Sequence, residues 1–266
     1  MVGGLTAMVA DAERADSSRP HILFVHGMFA GAWMFAALQR WFAERGFGSH
    51  AINLRGHLGS RPVADLGRVS VNDYVDDALH LARALAQPIV VGHSMGGLLT
   101  QKVAEAGAAR AAIIVSSAPP RGIVVTSPSL IIRQLKHLMP ILLSRPITPS
   151  RDDADALIFN RVPGAERAAL FAQLVPESGR AGRELSLSGV GVDERKVRCP
   201  VLSIAAGDDC FVPPYVARAL ARKYGGDYLE FSGRGHFMLG EPGWEAVATG
   251  MEEWIGRRVV DPAAAG

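Results

Sequence analysis

The sequence predicts an α/β fold with a mostly parallel central sheet, helices on both faces and an inserted helical lid. From residue 21 onward, short apolar segments of strand length alternate with amphipathic segments of helical length. This alternation is typical of a parallel sheet covered on both sides. It stops between residues 119 and 198, where only helical segments are predicted. The chain has 266 residues, 48% of them apolar, which suits one core with an insertion better than two domains.

Six strands are predicted where apolar and β-branched residues run between turn residues. Their ranges are 21–26, 49–54, 88–92, 111–116, 201–206 and 227–231. Amphipathic helices are predicted at 33–45, 71–86, 95–106, 213–224 and 243–257. Ser70 precedes the second of these helices and is its expected N-cap. The residues before 20 are expected to add a hairpin at the edge of the sheet.

The insertion is expected to form a lid. Residues 1–118 and 199–266 would make the core, and residues 119–198 the lid. Its helices are predicted at 130–143, 151–160, 166–174 and 179–187. Apolar residues spaced along the first helix, including Leu135 and Leu138, would face either the crevice or the core, and we take these two as candidate substrate contacts.

Composition and charge argue against several classes of function. The 28 basic and 26 acidic residues give a net charge of +2, too small to favour nucleic acid or an anionic membrane as a partner. Two cysteines are too few for a disulfide framework. The sequence has no recognisable signal peptide and no apolar stretch long enough to span a membrane. We therefore expect a cytoplasmic protein without stable membrane insertion, and nothing indicates its oligomeric state.

Residues 90–100 read VVGHSMGGLLT and predict an exposed nucleophile. A strand that turns at once into a helix forces its corner residue into strained backbone angles, and Gly92 and Gly96 remove the collisions around Ser94. The G-x-S-x-G string alone is a weak signal in a chain with 29 glycines. The apolar strand before it and the helical spacing after it meet the structural requirement. Ser94 would lie at a helix N-terminus, which favours developing negative charge.

A serine nucleophile needs a base and a group that orients the base. Among eight histidines, His236 lies in the glycine-flanked loop GRGHF after the last predicted strand, at the sheet edge where ligands bind. His57 is a weaker alternative. The loop GDDCFVPP, after the fifth predicted strand, offers Asp208 and Asp209 as the acid, and either can simply be a turn former.

Two backbone N–H groups are candidates for binding the oxyanion that such a nucleophile generates. The N–H of Met95 begins the helix after Ser94. Gly27 allows a sharp turn after the first predicted strand, so that the N–H of Met28 can face the same point.

These motifs resemble the α/β-hydrolase family over nearly the whole chain outside the lid. The resemblance rests on HG at 26–27, RGHLGS at 55–60, GHSMGG at 92–97, GDDCFVPP at 207–214 and GHF at 235–237, in the family's order of Ser, acid and His. In that family the acid commonly stands three positions before a Val-Pro pair, so the resemblance assigns Asp209, rather than Asp208, to orient His236. The chain departs from the family at Asn53, where many members have Asp, and at Leu58, which interrupts R-G-H-G.

The resemblance implies acyl transfer to water, most simply a carboxylesterase acting on small to medium apolar esters, with no metal or organic cofactor. Gly27, Phe237 and the lid leucines would contact the substrate. A lactonase, thioesterase, C–C bond hydrolase or lipase would use the same groups, and a non-catalytic ligand receptor of the same fold is a further alternative. Family members that open epoxides or displace halide carry Asp in place of Ser94. The expected partner is a small ester-type molecule.

Overall fold

The computed structural model describes residues 3–13, 19–125 and 136–260, which include a seven-stranded sheet. The strands are β1 (Ala7–Ala10), β2 (Ile22–Val25), β3 (Ser49–Ile52), β4 (Ile89–His93), β5 (Ala111–Val115), β6 (Val201–Ala206) and β7 (Asp227–Phe231). They are ordered β1-β3-β2-β4-β5-β6-β7. Every neighbouring pair is parallel except β1 and β3. The predicted mostly parallel sheet is confirmed.

The edge of the sheet differs from the expected hairpin. β1 is antiparallel to β3, with Ala7 opposite Ile52 and Ala10 opposite Ser49. Because β3 lies between β1 and β2, the first two strands do not pair with each other. The partner of β1 is therefore about 40 residues away in sequence, a distance that no local turn signal can report.

Side chains on the two faces of the sheet pack on different helices. Phe24 of β2 belongs to a core shared with the helices Ala36–Glu44 and Glu245–Ile255. Leu23, its neighbour, belongs to a second core. That core is shared with the helices Val71–Ala84, Met95–Glu105 and Pro214–Tyr224. This two-residue alternation buries both faces of the strand, as a parallel sheet requires.

The helix boundaries follow the local chemistry of the chain. Ser70 caps the helix Val71–Ala84: its side chain accepts the Asp73 N–H at 3.1 Å, and the Asp73 carboxylate accepts the Ser70 N–H at 2.8 Å. This reciprocal pair is a capping box and bears out the predicted N-cap. The helix predicted at 33–45 instead begins as a 3₁₀ turn, Ala32–Phe35, before Ala36–Glu44.

Between β5 and β6, the described part of the inserted segment, residues 119–198, contains short helices joined by turns and no strand of the central sheet. Its helices are Leu138–Leu142, Arg151–Asp153, Gly164–Phe171 and Gly179–Arg183, and the second and fourth continue as π-helical turns at Ala154–Ile158 and Glu184–Ser188. They overlap the four predicted stretches with different ends, and part of the first predicted helix, residues 130–135, lies outside the described residues. Among the described helices, none has the length and apolarity needed to cross a bilayer.

A buried polar cluster fastens the inserted segment to the core. The Glu177 carboxylate accepts hydrogen bonds from Tyr74 Oη at 2.5 Å, the Ser178 N–H at 2.6 Å and His57 Nε2 at 3.2 Å. The other ring nitrogen of His57 lies 3.0 Å from the Arg55 carbonyl. Both nitrogens of His57 therefore face acceptors, and only the imidazolium can donate to both.

The pKa shifts in this cluster agree with an ion pair. Burial acts to lower the pKa of His57, but the charge and hydrogen bond of Glu177 outweigh it and raise that pKa. Burial acts to raise the pKa of Glu177, but His57, Tyr74 and the Ser178 N–H together lower it. Each partner therefore stabilises the charged form of the other.

Candidate active site

Ser94 occupies the corner between β4 and the helix Met95–Glu105, with φ 54° and ψ −120°. Such angles are strained for a residue with a side chain and require tight surroundings. A Cβ on Gly92 would clash with the Gly96 carbonyl oxygen, and one on Gly96 would clash with the Val25 carbonyl oxygen. The strand, corner and helix expected around this serine are present, and the flanking glycines are needed for the reason that the sequence indicated.

His236 and Asp209 form a buried hydrogen-bonded pair. His236 Nδ1 lies 2.9 Å from Oδ2 and 3.1 Å from Oδ1 of Asp209. The carboxylate also accepts the N–H groups of Phe211 and Val212, both at 2.8 Å. Because a carboxylate accepts, Nδ1 carries the proton, which leaves Nε2 as the basic nitrogen of the neutral ring. This arrangement holds an imidazole ready to take a proton.

The structure separates the two aspartates that the loop offered. Asp209 is 6% exposed and bonded to His236, whereas the Asp208 side chain forms an ion pair with Arg161 at the surface. The N–H groups that orient the Asp209 carboxylate belong to the next turn of its own loop, the turn leading to the Val-Pro pair. Their positions explain why an acid at this spacing before Val-Pro is oriented inward.

The remaining histidines near the site have structural roles. His93 Nε2 donates to the His236 carbonyl oxygen at 2.7 Å, and burial lowers the pKa of His93 to about 3. His26 Nε2 accepts the Leu54 N–H at 3.1 Å, so its proton is on Nδ1 and is donated to the Gly27 carbonyl oxygen at 2.8 Å. Burial lowers the pKa of His26 to about 3 as well. Both rings are therefore neutral braces rather than bases at physiological pH.

The loop after β2 supplies the first candidate oxyanion donor. A Cβ on Gly27 would lie 2.8 Å from Ser94 Cβ, so only glycine allows this close approach. In the planar trans peptide between Gly27 and Met28, the Met28 N–H points away from the Gly27 carbonyl. Because His26 binds that carbonyl, it also fixes the direction of the Met28 N–H. Phe29 has φ 66°, and its carbonyl accepts the Val175 N–H of the inserted segment at 2.9 Å. In the described ranges, neither the Met28 nor the Met95 N–H donates to another residue, so both are available to a ligand.

One cavity contains both Ser94 and His236, which are 9% and 4% exposed. The other described residues that line it are mainly apolar or aromatic, and none carries Asp, Glu, Lys or Arg. They are Gly27, Met28, Phe29, Ala30, Trp33, Met34, His93, Ile158, Phe159, Leu174, Phe211 and Phe237. The predicted contacts Gly27 and Phe237 are among them. Leu138 lies outside this lining, and Leu135 lies outside the described residues.

Aromatic side chains set the shape of the cavity. Phe237 contacts Trp33 with ring centroids 5.9 Å apart and Phe159 in a T-shaped pair at 5.5 Å. The ring of Phe211 stacks on that of His236 at 5.0 Å. Phe159 belongs to the inserted segment, which therefore forms part of the wall.

The sequence did not point to two residues that hold the histidine loop. The buried Glu241 carboxylate accepts the Gly235 N–H at 2.9 and 3.1 Å, and burial raises the pKa of this carboxyl group. Asn160, from the inserted segment, contacts the backbone of both the Asp209 loop and the His236 loop. Glu241 follows His236 by five positions and a loop contact could have been guessed, but no motif marks Asn160.

Asn53 and Leu58, the two departures from the family pattern, both make specific contacts in this chain. Asn53 Oδ1 accepts the Ala32 N–H at 2.8 Å, and its Nδ2 donates to Thr6 Oγ1 at 3.1 Å. An amide thus links the loop after β2 to the segment before β1. Leu58 has φ 38° and packs so closely on Gly31 that a Cβ there would clash with it.

In the part of the chain that is described, no group of three or more His, Cys, Asp or Glu side chains is arranged to hold a metal ion. The Ser94 hydroxyl and the His236 imidazole line one cavity, and the Asp209 carboxylate is hydrogen-bonded to that imidazole. Their order along the chain and the bond between His236 and Asp209 suit acid–base and nucleophilic chemistry.

Solved structures with the same fold include several hydrolases. A soluble variant of monoglyceride lipase from Saccharomyces cerevisiae matches with a TM-score of 0.79 and 15% identity, covering 96% of this chain and 92% of that one. An enol-lactonase from Burkholderia xenovorans LB400 matches with a TM-score of 0.70 and 19% identity, covering 96% and 98%. A thermophilic esterase from Thermogutta terrifontis matches with a TM-score of 0.70 and 19% identity, covering 95% and 93%.

No curated protein matches the sequence significantly. The model of the alpha/beta hydrolase family matches residues 22–249, a range that runs from β2 to the last core helix and includes every candidate site residue. The chain belongs to the alpha/beta hydrolase family.

Proposed function

We propose that the protein is a serine hydrolase that cleaves carboxylic esters of small to medium apolar substrates through Ser94, His236 and Asp209. The observation that carries this proposal is the buried His236–Asp209 pair, whose imidazole lines the same cavity as the strained Ser94. A ligand receptor has no need for a serine on a strained corner together with an oriented base. The lipase, esterase and lactonase among its structural neighbours support the same class of reaction.

In the proposed reaction, Ser94 Oγ attacks the ester carbonyl while His236 Nε2 takes its proton. The N–H groups of Met28 and Met95 bind the developing oxyanion. The imidazolium then protonates the leaving alcohol, and an acyl-enzyme remains on Ser94. Water, activated by the same nitrogen, releases the acid. Asp209 stabilises the imidazolium and keeps the required tautomer throughout.

The cavity supports an uncharged, apolar substrate. Because its described lining holds no formally charged side chain, an ionised substrate group would lose its hydration without gaining a partner. The aromatic rings of Trp33, Phe159 and Phe237 offer apolar contact area for an acyl or alcohol group. The inserted segment supplies Phe159 to this wall, which supports the proposal that it serves as a lid.

The test combines a fluorophosphonate probe with a panel of p-nitrophenyl esters of rising chain length, a lactone and a thioester. Ser94→Ala should lose labelling and about 10⁴-fold or more in turnover, while its Tm stays within a few degrees. Ser116→Ala is the matched control, because Ser116 is a buried serine with positive φ at the end of β5. It should keep labelling and turnover. Labelling that persists in Ser94→Ala would place the nucleophile elsewhere.

A further inference from the structure

The proposed reaction depends on two loops that must keep a fixed distance. Asp209 follows β6 and His236 follows β7, and the helix Pro214–Tyr224 lies between them in the chain. One backbone bond joins the loops directly: the Asp208 N–H donates to the Arg234 carbonyl at 2.8 Å. The geometry of the hydrogen bond from His236 Nδ1 to Asp209 therefore depends on the relative position of these two loops.

Asn160 of the inserted segment spans both loops with one side chain. Its Nδ2 donates to the Asp208 carbonyl oxygen at 2.8 Å, and its Oδ1 lies 3.3 Å from the His236 N–H, which it accepts. The first of these backbone groups belongs to the residue before Asp209, and the second belongs to His236 itself. The chemistry determines the orientation of the amide, because a carbonyl only accepts and an N–H only donates. Turned over, the amide would lose both bonds.

The surroundings of Asn160 are built for this approach. A Cβ on Gly235 would clash with Asn160 Oδ1, so the glycine before His236 leaves room for the amide. The neighbours of Asn160 contact the same two loops: Phe159 packs on Phe237, and Arg161 forms the ion pair with Asp208. Three consecutive residues of the inserted segment therefore contact the loops that carry the acid and the base.

We propose that Asn160 is a positioning residue for the hydrolytic reaction: it holds the Asp209 and His236 loops in register and couples them to the inserted segment. The inference rests on the proposed function. A carboxamide suits this role because it donates and accepts at once and brings no charge close to the His236–Asp209 pair. Its action is on alignment, so it affects the chemical step more than substrate binding.

The test compares Asn160→Ala and Asn160→Asp with Arg161→Ala as the matched control. Asn160→Ala removes both bonds, and kcat should fall about 10- to 100-fold with KM changed less than about twofold, because misalignment affects the transition state. Asn160→Asp keeps the shape but places an acceptor against the Asp208 carbonyl, so its kcat should fall at least as far. Arg161→Ala breaks only a solvent-exposed contact to the same aspartate and should keep kcat within about twofold.

A spectroscopic readout separates positioning from general loss of structure. The His236 Nδ1 proton, held between two buried groups, should give a low-field proton resonance in the wild type. This signal should weaken in both Asn160 variants and persist in Arg161→Ala. Wild-type kcat in Asn160→Asp would overturn the inference, as would a parallel loss of kcat in Arg161→Ala. An inactive wild type that the fluorophosphonate does not label would instead overturn the proposed function.

Discussion

Removing the Glu177 carboxylate tests how the inserted segment is held on the core. In the wild type this fully buried carboxylate accepts hydrogen bonds from the His57 ring, the Tyr74 hydroxyl and the Ser178 N–H. Glu177→Ala leaves all three donors without their acceptor, including a buried imidazole. Removing one partner of a buried ion pair costs about 3–5 kcal/mol. For a chain of this length, that loss corresponds to a Tm lowered by roughly 5–9 °C.

Glu184→Ala is the matched control for this prediction. Glu184 also anchors the inserted segment, since its carboxylate accepts the Val71 N–H at 2.8 Å and pairs with Arg180 at 3.0 Å. Its side chain is 24% exposed, so water can replace the lost contacts. We expect a cost of about 1 kcal/mol for this variant.

The cost of Glu177→Ala should depend on pH. The raised pKa of His57 stabilises the fold fully below its ordinary value of 6.5, and this contribution is lost as pH rises through the raised value. The lowered pKa of Glu177 stabilises the fold above its ordinary value of 4.5 and loses that contribution as pH falls through the lowered one. Both contributions are complete between pH 4.5 and 6.5. The destabilisation should therefore be larger near pH 6 than near pH 9.

Urea unfolding of the wild type and both variants, followed by circular dichroism near pH 6 and pH 9, measures these differences. Equal costs for Glu177→Ala and Glu184→Ala would refute the idea that burial makes the first anchor the stronger one. A cost for Glu177→Ala that is the same at both pH values would show that His57 is not charged in the folded protein.

Two further predictions concern the reaction. Asp209→Asn should lower kcat about 10⁴-fold, because the imidazole would lose its working tautomer. Asp208→Asn should keep kcat within a few-fold of the wild type. Similar losses of kcat for both variants in steady-state kinetics would contradict the assignment. Leu174→Ala should change the kcat/KM ratio between long and short acyl esters by about 1–3 kcal/mol per methylene-sized contact. Leu138→Ala, outside the described lining, should not change it, and the same profile in both variants would mean that the pocket is elsewhere.

Local sequence determined the parts of this protein that depend on neighbouring residues. The glycines at 92 and 96 predict a strained corner at Ser94, because the clashes they relieve involve atoms within a few residues or in the adjacent strand. Continuous apolar runs between turn residues predict strands buried on both faces, and Ser70 predicts a helix start. His236 is recognisable because it lies in a glycine-flanked loop after the last strand. Parallel strands all end at one edge of the sheet, so this loop is expected to lie beside the loop of Ser94.

Only the tertiary structure decided which distant residues meet. The pairing of β1 with β3, the Asn160 bridge and the contact of Glu177 with His57 join positions about 40 to 120 residues apart. Leu174 reaches the cavity from the turn that follows the helix Gly164–Phe171. Such contacts depend on how the whole chain folds. A single amide or carboxylate in a sequence can bind many different groups, and packing decides which of them lies within reach. Propensity and spacing act over one or two turns of backbone, whereas burial selects partners across the entire fold.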